Sequence, residues 1–94
     1  MSIQEKIRFD QILGKNILYL RKLKNLKQHD IANFLCVTHQ QVNKYESGKN
    51  RISVENLKKV CSELFFVSLD QITSEHMIEQ ISTAIIFKKS EHIQ

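Results

Sequence analysis

The sequence predicts an all-α protein, and three observations predict it. Proline is absent from the 94 residues and glycine occurs only at Gly14 and Gly48, so little interrupts a helical backbone. Apolar residues recur at the i, i+3, i+4, i+7 spacing of a helix face in successive segments. Between those segments stand Asn25, Thr38, Gly48, Ser53 and Ser68, residue types that cap or stop helices.

A first helix is predicted from Phe9 to Lys24, with Leu13, Ile17 and Leu20 on one face. Asp10 near its start and Arg21, Lys22 and Lys24 near its end complement the helix dipole. Asn25 marks its stop. A short second helix runs from Gln28 to Phe34, turning Ile31, Ala32 and Leu35 inward. Leu35, Cys36 and Val37 form a tight connection. Thr38 caps a third helix reaching Ser47, whose inner face is Val42 and Tyr45, and Gly48 ends it. A polar loop of Lys49, Asn50, Arg51 and Ile52 follows. Ser53 caps a fourth helix through Leu64, with Leu57, Val60, Cys61 and Leu64 inward. Ser68 caps a short fifth helix, Leu69 to Ile72. In residues 74–94 the spacing of Ile78, Ile81 and Ile85 favours a helix. The β-branched run from Ile81 to Phe87 keeps a strand open as the alternative.

The totals exclude several classes. Ninety-four residues bury one modest core, so the chain is expected to hold one domain at 1–73 with an extension at 74–94. No stretch approaches the roughly 18 apolar residues of a membrane span. The start of the chain lacks the basic-then-apolar pattern of a secretory signal, so a cytoplasmic location is expected. Cys36 and Cys61 stand alone, which suits a reducing compartment. With His29, His39, His76 and His92 they form no metal-ligand spacing, so no metal site is expected. Two distant glycines cannot make a phosphate-cradling loop, and no nucleophile motif is present. Neither an enzyme, a cofactor nor a small-molecule substrate is expected.

Charge points towards a polyanion on one side. Residues 1–59 hold 12 Lys/Arg against 5 Asp/Glu, a net of +7, whereas residues 60–94 hold 2 Lys against 5 Asp/Glu, a net of −3. A basic front and an acidic back suit a nucleic-acid partner, although a solvated basic face without a ligand is as common.

Two short helices joined by a tight turn, the second rich in small polar side chains, form a helix-turn-helix pattern. A helix entering the major groove, about 12 Å wide, needs an outer face free of bulky apolar groups. Thr38, His39, Gln40, Gln41, Asn43 and Lys44 provide one, while Val42 and Tyr45 on the other side anchor the helix.

The stretch from Leu13 to Ile72 resembles the helix-turn-helix domain of the lambda and 434 repressors, Cro and the xenobiotic-response-element type bacterial regulators. The resemblance rests on Leu13-Gly14-Lys15, Leu20-Arg21, Gln28, Ile31-Ala32, Val37-Thr38, Gln40-Gln41-Val42, Tyr45-Glu46-Ser47-Gly48-Lys49 and Leu57. Its most specific part is the run from Val37 to Ser53. It implies a five-helix, lambda-repressor-like domain that binds double-stranded DNA and regulates transcription, with repression the expected outcome. By position it implies that His39, Gln40, Gln41, Asn43 and Lys44 read base edges. Gln28, Thr38, Lys49, Asn50 and Arg51 would hold the phosphate backbone, Gln28 also bracing the reading helix. Tyr45 is expected to pack, and Glu46 to pair with Arg21.

Three positions depart from the pattern. Cys36 replaces the turn glycine, Lys27 replaces the usual Ser or Thr cap, and Phe65-Phe66 stand where a single glycine is usual, with one residue extra. Ile78, Ile81 and Ile85 lie beyond the point, near Ile72, where the family core is expected to close. They are therefore expected to form a dimer contact, with intramolecular burial as the alternative. Two further readings share the same DNA face: an antitoxin that represses its own operon and gives its C-terminal segment to a protein partner, and an interaction module that has kept the fold alone.

Overall fold

A computed structural model describes residues 1–92, and for 90–92 the backbone alone. The last residues of the expected extension, 93 and 94, and the His92 side chain lie outside this set. Among the described residues every regular element is helical: α1 Ile3–Leu23, α2 Gln28–Leu35, α3 His39–Glu46, α4 Val54–Val60, a π-helical turn Cys61–Phe65, α5 Leu69–Ile72 and α6 Met77–His92.

α1 is two turns longer than its apolar spacing predicts. Ser2 caps it, its hydroxyl accepting from the Glu5 N–H at 3.1 Å, and Glu5 lies in the first turn. This Ser-x-x-Glu start was written in the sequence. Leu13, Ile17 and Leu20 are buried as expected, and Asn25 ends the helix at φ 62°. Lys27 begins α2 without a side-chain cap. Its ammonium has no lone pair to offer. The Asp30 carboxylate instead accepts from the Lys27 N–H at 2.7 Å and places a negative charge where the helix dipole favours one.

The fourth helix does not run regularly to Leu64. After Val60 the backbone widens into the π-helical turn, which ends with Phe66 in the left-handed region at φ 54° and its N–H on the Cys61 carbonyl. Such a turn absorbs one extra residue. Phe65 thereby enters the core while Phe66 stays in solvent, at 3% and 72% exposure.

The core does not close at Ile72 either. Met77 is as buried as Ile72, and Ile78 and Ile81 are half-buried against the same cluster. α6 is helical throughout its described length. It is joined to α1 by a Tyr19–Ser82 hydroxyl contact at 3.0 Å, and the turn that leads into it by an Arg8–Glu75 ion pair. Buried Asn16 donates from Nδ2 to the carbonyls of Ile72 and Ser74, at 2.7 and 2.8 Å. It thus satisfies the backbone where α5 gives way to α6.

α1 and α3 meet without a side chain between them. A Cβ added at Gly14 would stand 2.5 Å from the Tyr45 carbonyl oxygen and 2.7 Å from that of Glu46. These are backbone atoms and cannot swing aside. Gly14→Ala should cost about 1–3 kcal/mol, read in thermal unfolding as a fall of about 4–8 °C per kcal/mol; an unchanged midpoint would refute the close approach.

Burial pushes the Cys61 thiol above its usual range, whereas Cys36 is exposed. The thiolate is the reactive form. One alkylation equivalent is therefore expected in the native chain near pH 8 and two in denaturant. Two rapid native equivalents would contradict this packing.

Candidate nucleic-acid interface

The turn between α2 and α3 is built by Cys36 at φ 57°, a conformation that strains a side chain bearing a β-carbon. The Val37 N–H reaches the Ala32 carbonyl at 3.0 Å. The Thr38 hydroxyl then accepts from the Gln41 N–H at 3.1 Å and starts α3. Val42, Tyr45 and Glu46 form the buried side of α3. With roughly 100° between successive residues, Gln40 and Lys44 fall opposite them. Asn43 flanks that outer face on the α2 side and Gln41 on the other. His39, Gln40, Asn43 and Lys44 are exposed, and Gln41 is half-buried.

The inner side is locked by charge. The Arg21 Nε and Nη2 donate to the two oxygens of Glu46 at 2.6 and 3.1 Å, and Nη1 donates to the Leu26 carbonyl at 2.9 Å. Both side chains are buried, at 10% and 4% exposure. The expected pair thus exists, as a two-pronged buried contact.

Gln28 joins this network. Its Nε2 donates to Glu46 Oε1 at 2.9 Å and to Asn43 Oδ1 at 3.2 Å. The bracing role is realised in this way. Both hydrogens of that amide are engaged in these contacts, and its oxygen can only accept. Asn43 likewise presents its acceptor to Gln28 rather than to solvent.

Lys49 and Asn50 follow α3 closely, both of their N–H groups donating to the Lys44 carbonyl, at 3.0 and 3.2 Å. Their side chains are exposed. Arg51 is partly engaged: its Nε donates to Asp10 Oδ1 at 2.6 Å, and its guanidinium lies 4.7 Å from the Phe9 ring centre. Asp10, expected as a helix-start charge, lies about two turns inside the longer α1, where Glu5 holds the first turn, and is instead the partner of Arg51. Sequence reasoning also missed Lys6. It lies with Gln41, Lys49, Arg51 and Ser53 around an open groove of about 610 Å³ beside the front of α3. The two extra turns of α1 are what bring it there.

Of the expected dimer residues, Ile78 and Ile81 face the protein's own core, and Ile85 is half-buried one turn further on. Among the described residues there is no cluster of three or more metal-ligating side chains, and no helix is long and apolar enough to cross a membrane.

Two short helices at a strained turn, the second pinned by its inner face and polar on its outer one, define a helix-turn-helix domain. The helix-turn-helix family model matches residues 17–72, and the chain belongs to this family, the Cro/C1-type DNA-binding transcription regulators. The family is a class of regulators, not of enzymes.

The chain is 39% identical over 70 residues to an uncharacterised HTH-type transcriptional regulator of Rickettsia conorii, covering 68% of this chain and 56% of that protein. It is 24% identical over 83 residues to the antitoxin PezA of Streptococcus pneumoniae, covering 88% and 52%. It is 40% identical over 61 residues to the transcriptional activator BcrR of Enterococcus faecalis, covering 65% and 29%. The chain thus spans about half the length of the first two of these relatives and less than a third of the last. No solved structure matches at a comparable level of significance.

The buried pair has a measurable consequence. Glu46→Ala leaves the Arg21 charge buried without its partner and should cost about 3–5 kcal/mol. Glu63→Ala, on the exposed surface, should stay within about 0.5 kcal/mol. Equal midpoints of the two variants in urea would show that the pair holds nothing.

Proposed function

We propose that this chain is a sequence-specific DNA-binding domain that represses transcription by occupying an operator, with α3 in the major groove. The observation that carries the reading is the division of α3 into two sides. Glu46 and Val42 are fixed to the body, and Gln40 and Lys44 stand opposite them in solvent.

A glutamine pairs with adenine N6 and N7 together, which discriminates by roughly 1–3 kcal/mol. Gln40 is the residue best placed to do so. Lys44, one turn on, meets guanine or a phosphate, and His39 lies at the tip of the helix. Gln41 reaches sideways, towards the groove that holds Lys6, Lys49 and Arg51. Asn43 acts through Gln28. Thr38, Lys49, Asn50 and Arg51 set the register on the phosphates. A two-fold pair of such domains would place two reading helices about 34 Å apart on a near-palindromic site.

A second reading, an antitoxin that represses its own operon, is favoured by the PezA similarity. That similarity covers 88% of this chain, more than the family match alone. It uses the same α3 face, and co-purification with a neighbouring gene product separates it from the first.

Selection from a random DNA pool should yield one enriched site. Gln40→Ala should then lower preference for that site about tenfold while keeping general binding. Lys49→Ala should weaken binding to all sequences alike and reduce the salt slope by about 0.9. No enriched site, or an unchanged preference in Gln40→Ala, would overturn the assignment.

A further inference from the structure

The groove beside α3 is built from two helix faces and a loop. Lys6 and Asp10 stand one turn apart on α1, and Gln41 and Tyr45 stand one turn apart on α3. Lys49 and Arg51 close the open space of about 610 Å³ between them. Gln28 and Asn43 occupy the other flank of α3. A helix seated in a major groove has a phosphate strand on either side, and this groove faces the strand away from α2. Three cations, Lys6, Lys49 and Arg51, line it against one carboxylate, Asp10.

By charge alone, a carboxylate in a groove for a polyanion opposes binding. Yet the Asp10 side chain is only 12% exposed, and it accepts from Arg51 Nε at 2.6 Å. The Phe9 ring supports the same guanidinium from 4.7 Å. Among the described residues nothing accepts from the two Nη groups of Arg51. The guanidinium is thus held at Nε and over one face, and its Nη pair is left open to an anion. We propose that Asp10 is a positioning residue for DNA: it fixes Arg51 so that the Nη pair grips one backbone phosphate, while Lys6 holds the same strand from the first turns of α1. A planar fork suits the two oxygens of a phosphate, and a fork already pinned need not be ordered on binding. The inference rests on the DNA-binding reading and adds to it α1, which supplies no contact there.

Binding of the 94-residue chain to a short random-sequence duplex at low salt tests this, because phosphate contacts carry no sequence information. Lys6→Ala should weaken binding and reduce the salt slope by about 0.9. Asp10→Ala should weaken binding about threefold, although it removes a negative charge from the groove. In an Arg51→Ala background the same change should reverse sign and tighten binding about twofold, because only the charge then counts. Asp10→Asn keeps an acceptor for Nε without the charge, and should bind at least as tightly as the unchanged chain. A merely structural role for Asp10 would weaken binding in both backgrounds. Tighter binding by Asp10→Ala alone, an effect of the same sign in both backgrounds, an Asp10→Asn as weak as Asp10→Ala, or an unchanged salt slope in Lys6→Ala overturns the inference while the DNA-binding reading stands. A chain that binds no duplex at low salt overturns both.

Discussion

A single buried carboxylate governs the position of the reading helix. Glu46 is the last residue of α3, and it accepts from Arg21 of α1 and from Gln28 of α2. Arg21 in turn holds the Leu26 carbonyl, where the chain leaves α1. Three helices therefore converge on one group. A buried ion pair is a poor source of net stability, since desolvating two charges offsets their attraction. Its value here is geometric. An apolar contact would tolerate rotation of α3 by some degrees, whereas a two-pronged guanidinium–carboxylate contact does not. The outer face carrying Gln40 and Lys44 is consequently fixed before any ligand arrives, and ordering it on binding costs little.

The same constraint explains why α1 must lie so close. For Arg21 to reach Glu46, α1 crosses the last turn of α3 at Gly14, whose missing side chain leaves room for the Tyr45 and Glu46 carbonyls. Gly48 makes the complementary concession, turning at φ 77° against Gln11. Upstream of this crossing α1 runs between the 49–53 loop on one side and Thr73 and Glu75 on the other. There it contributes Lys6 to the basic groove and Asp10 to orient Arg51. The ion pair, the close approach and the basic rim thus follow from one helix crossing.

Much of this was legible in the sequence because the relevant signals are local. The tight turn, the Thr38 cap, the inward Val42 and Tyr45, the Gly48 stop and the Arg21–Glu46 pair are all found where the residues place them. What escaped depends on partners distant in the chain or on competition between neighbours. Asn16 satisfies carbonyls at 72 and 74, and nothing near it in sequence indicates that need. Gln28 bonds both Asn43 and Glu46 of α3, and no local pattern names those two partners. The widened turn at Cys61–Phe65 arises because one extra residue must be absorbed while Phe65 still reaches the core. The start of α1 is different in kind, since the Ser2–Glu5 pattern was visible and was outweighed by the apolar spacing further on.

The C-terminal helix shows how far periodicity can go. The spacing of Ile78, Ile81 and Ile85 correctly marks a buried face, but a period cannot say what buries it. The β-branched run from Ile81 to Phe87 yields to helix because only a helix turns Met77, Ile78 and Ile81 to the core together. A strand would split them between two sides with no sheet to receive either. Once α1 and the core claim that face, Ile86 and Phe87 are left exposed on the rest of the helix. The division of charge fits the same arrangement. The basic residues gather before position 60, Lys44, Lys49 and Arg51 in or just after α3, and the net negative charge falls after it. A polyanion approaching the molecule is drawn to the part of the chain that carries this positive charge.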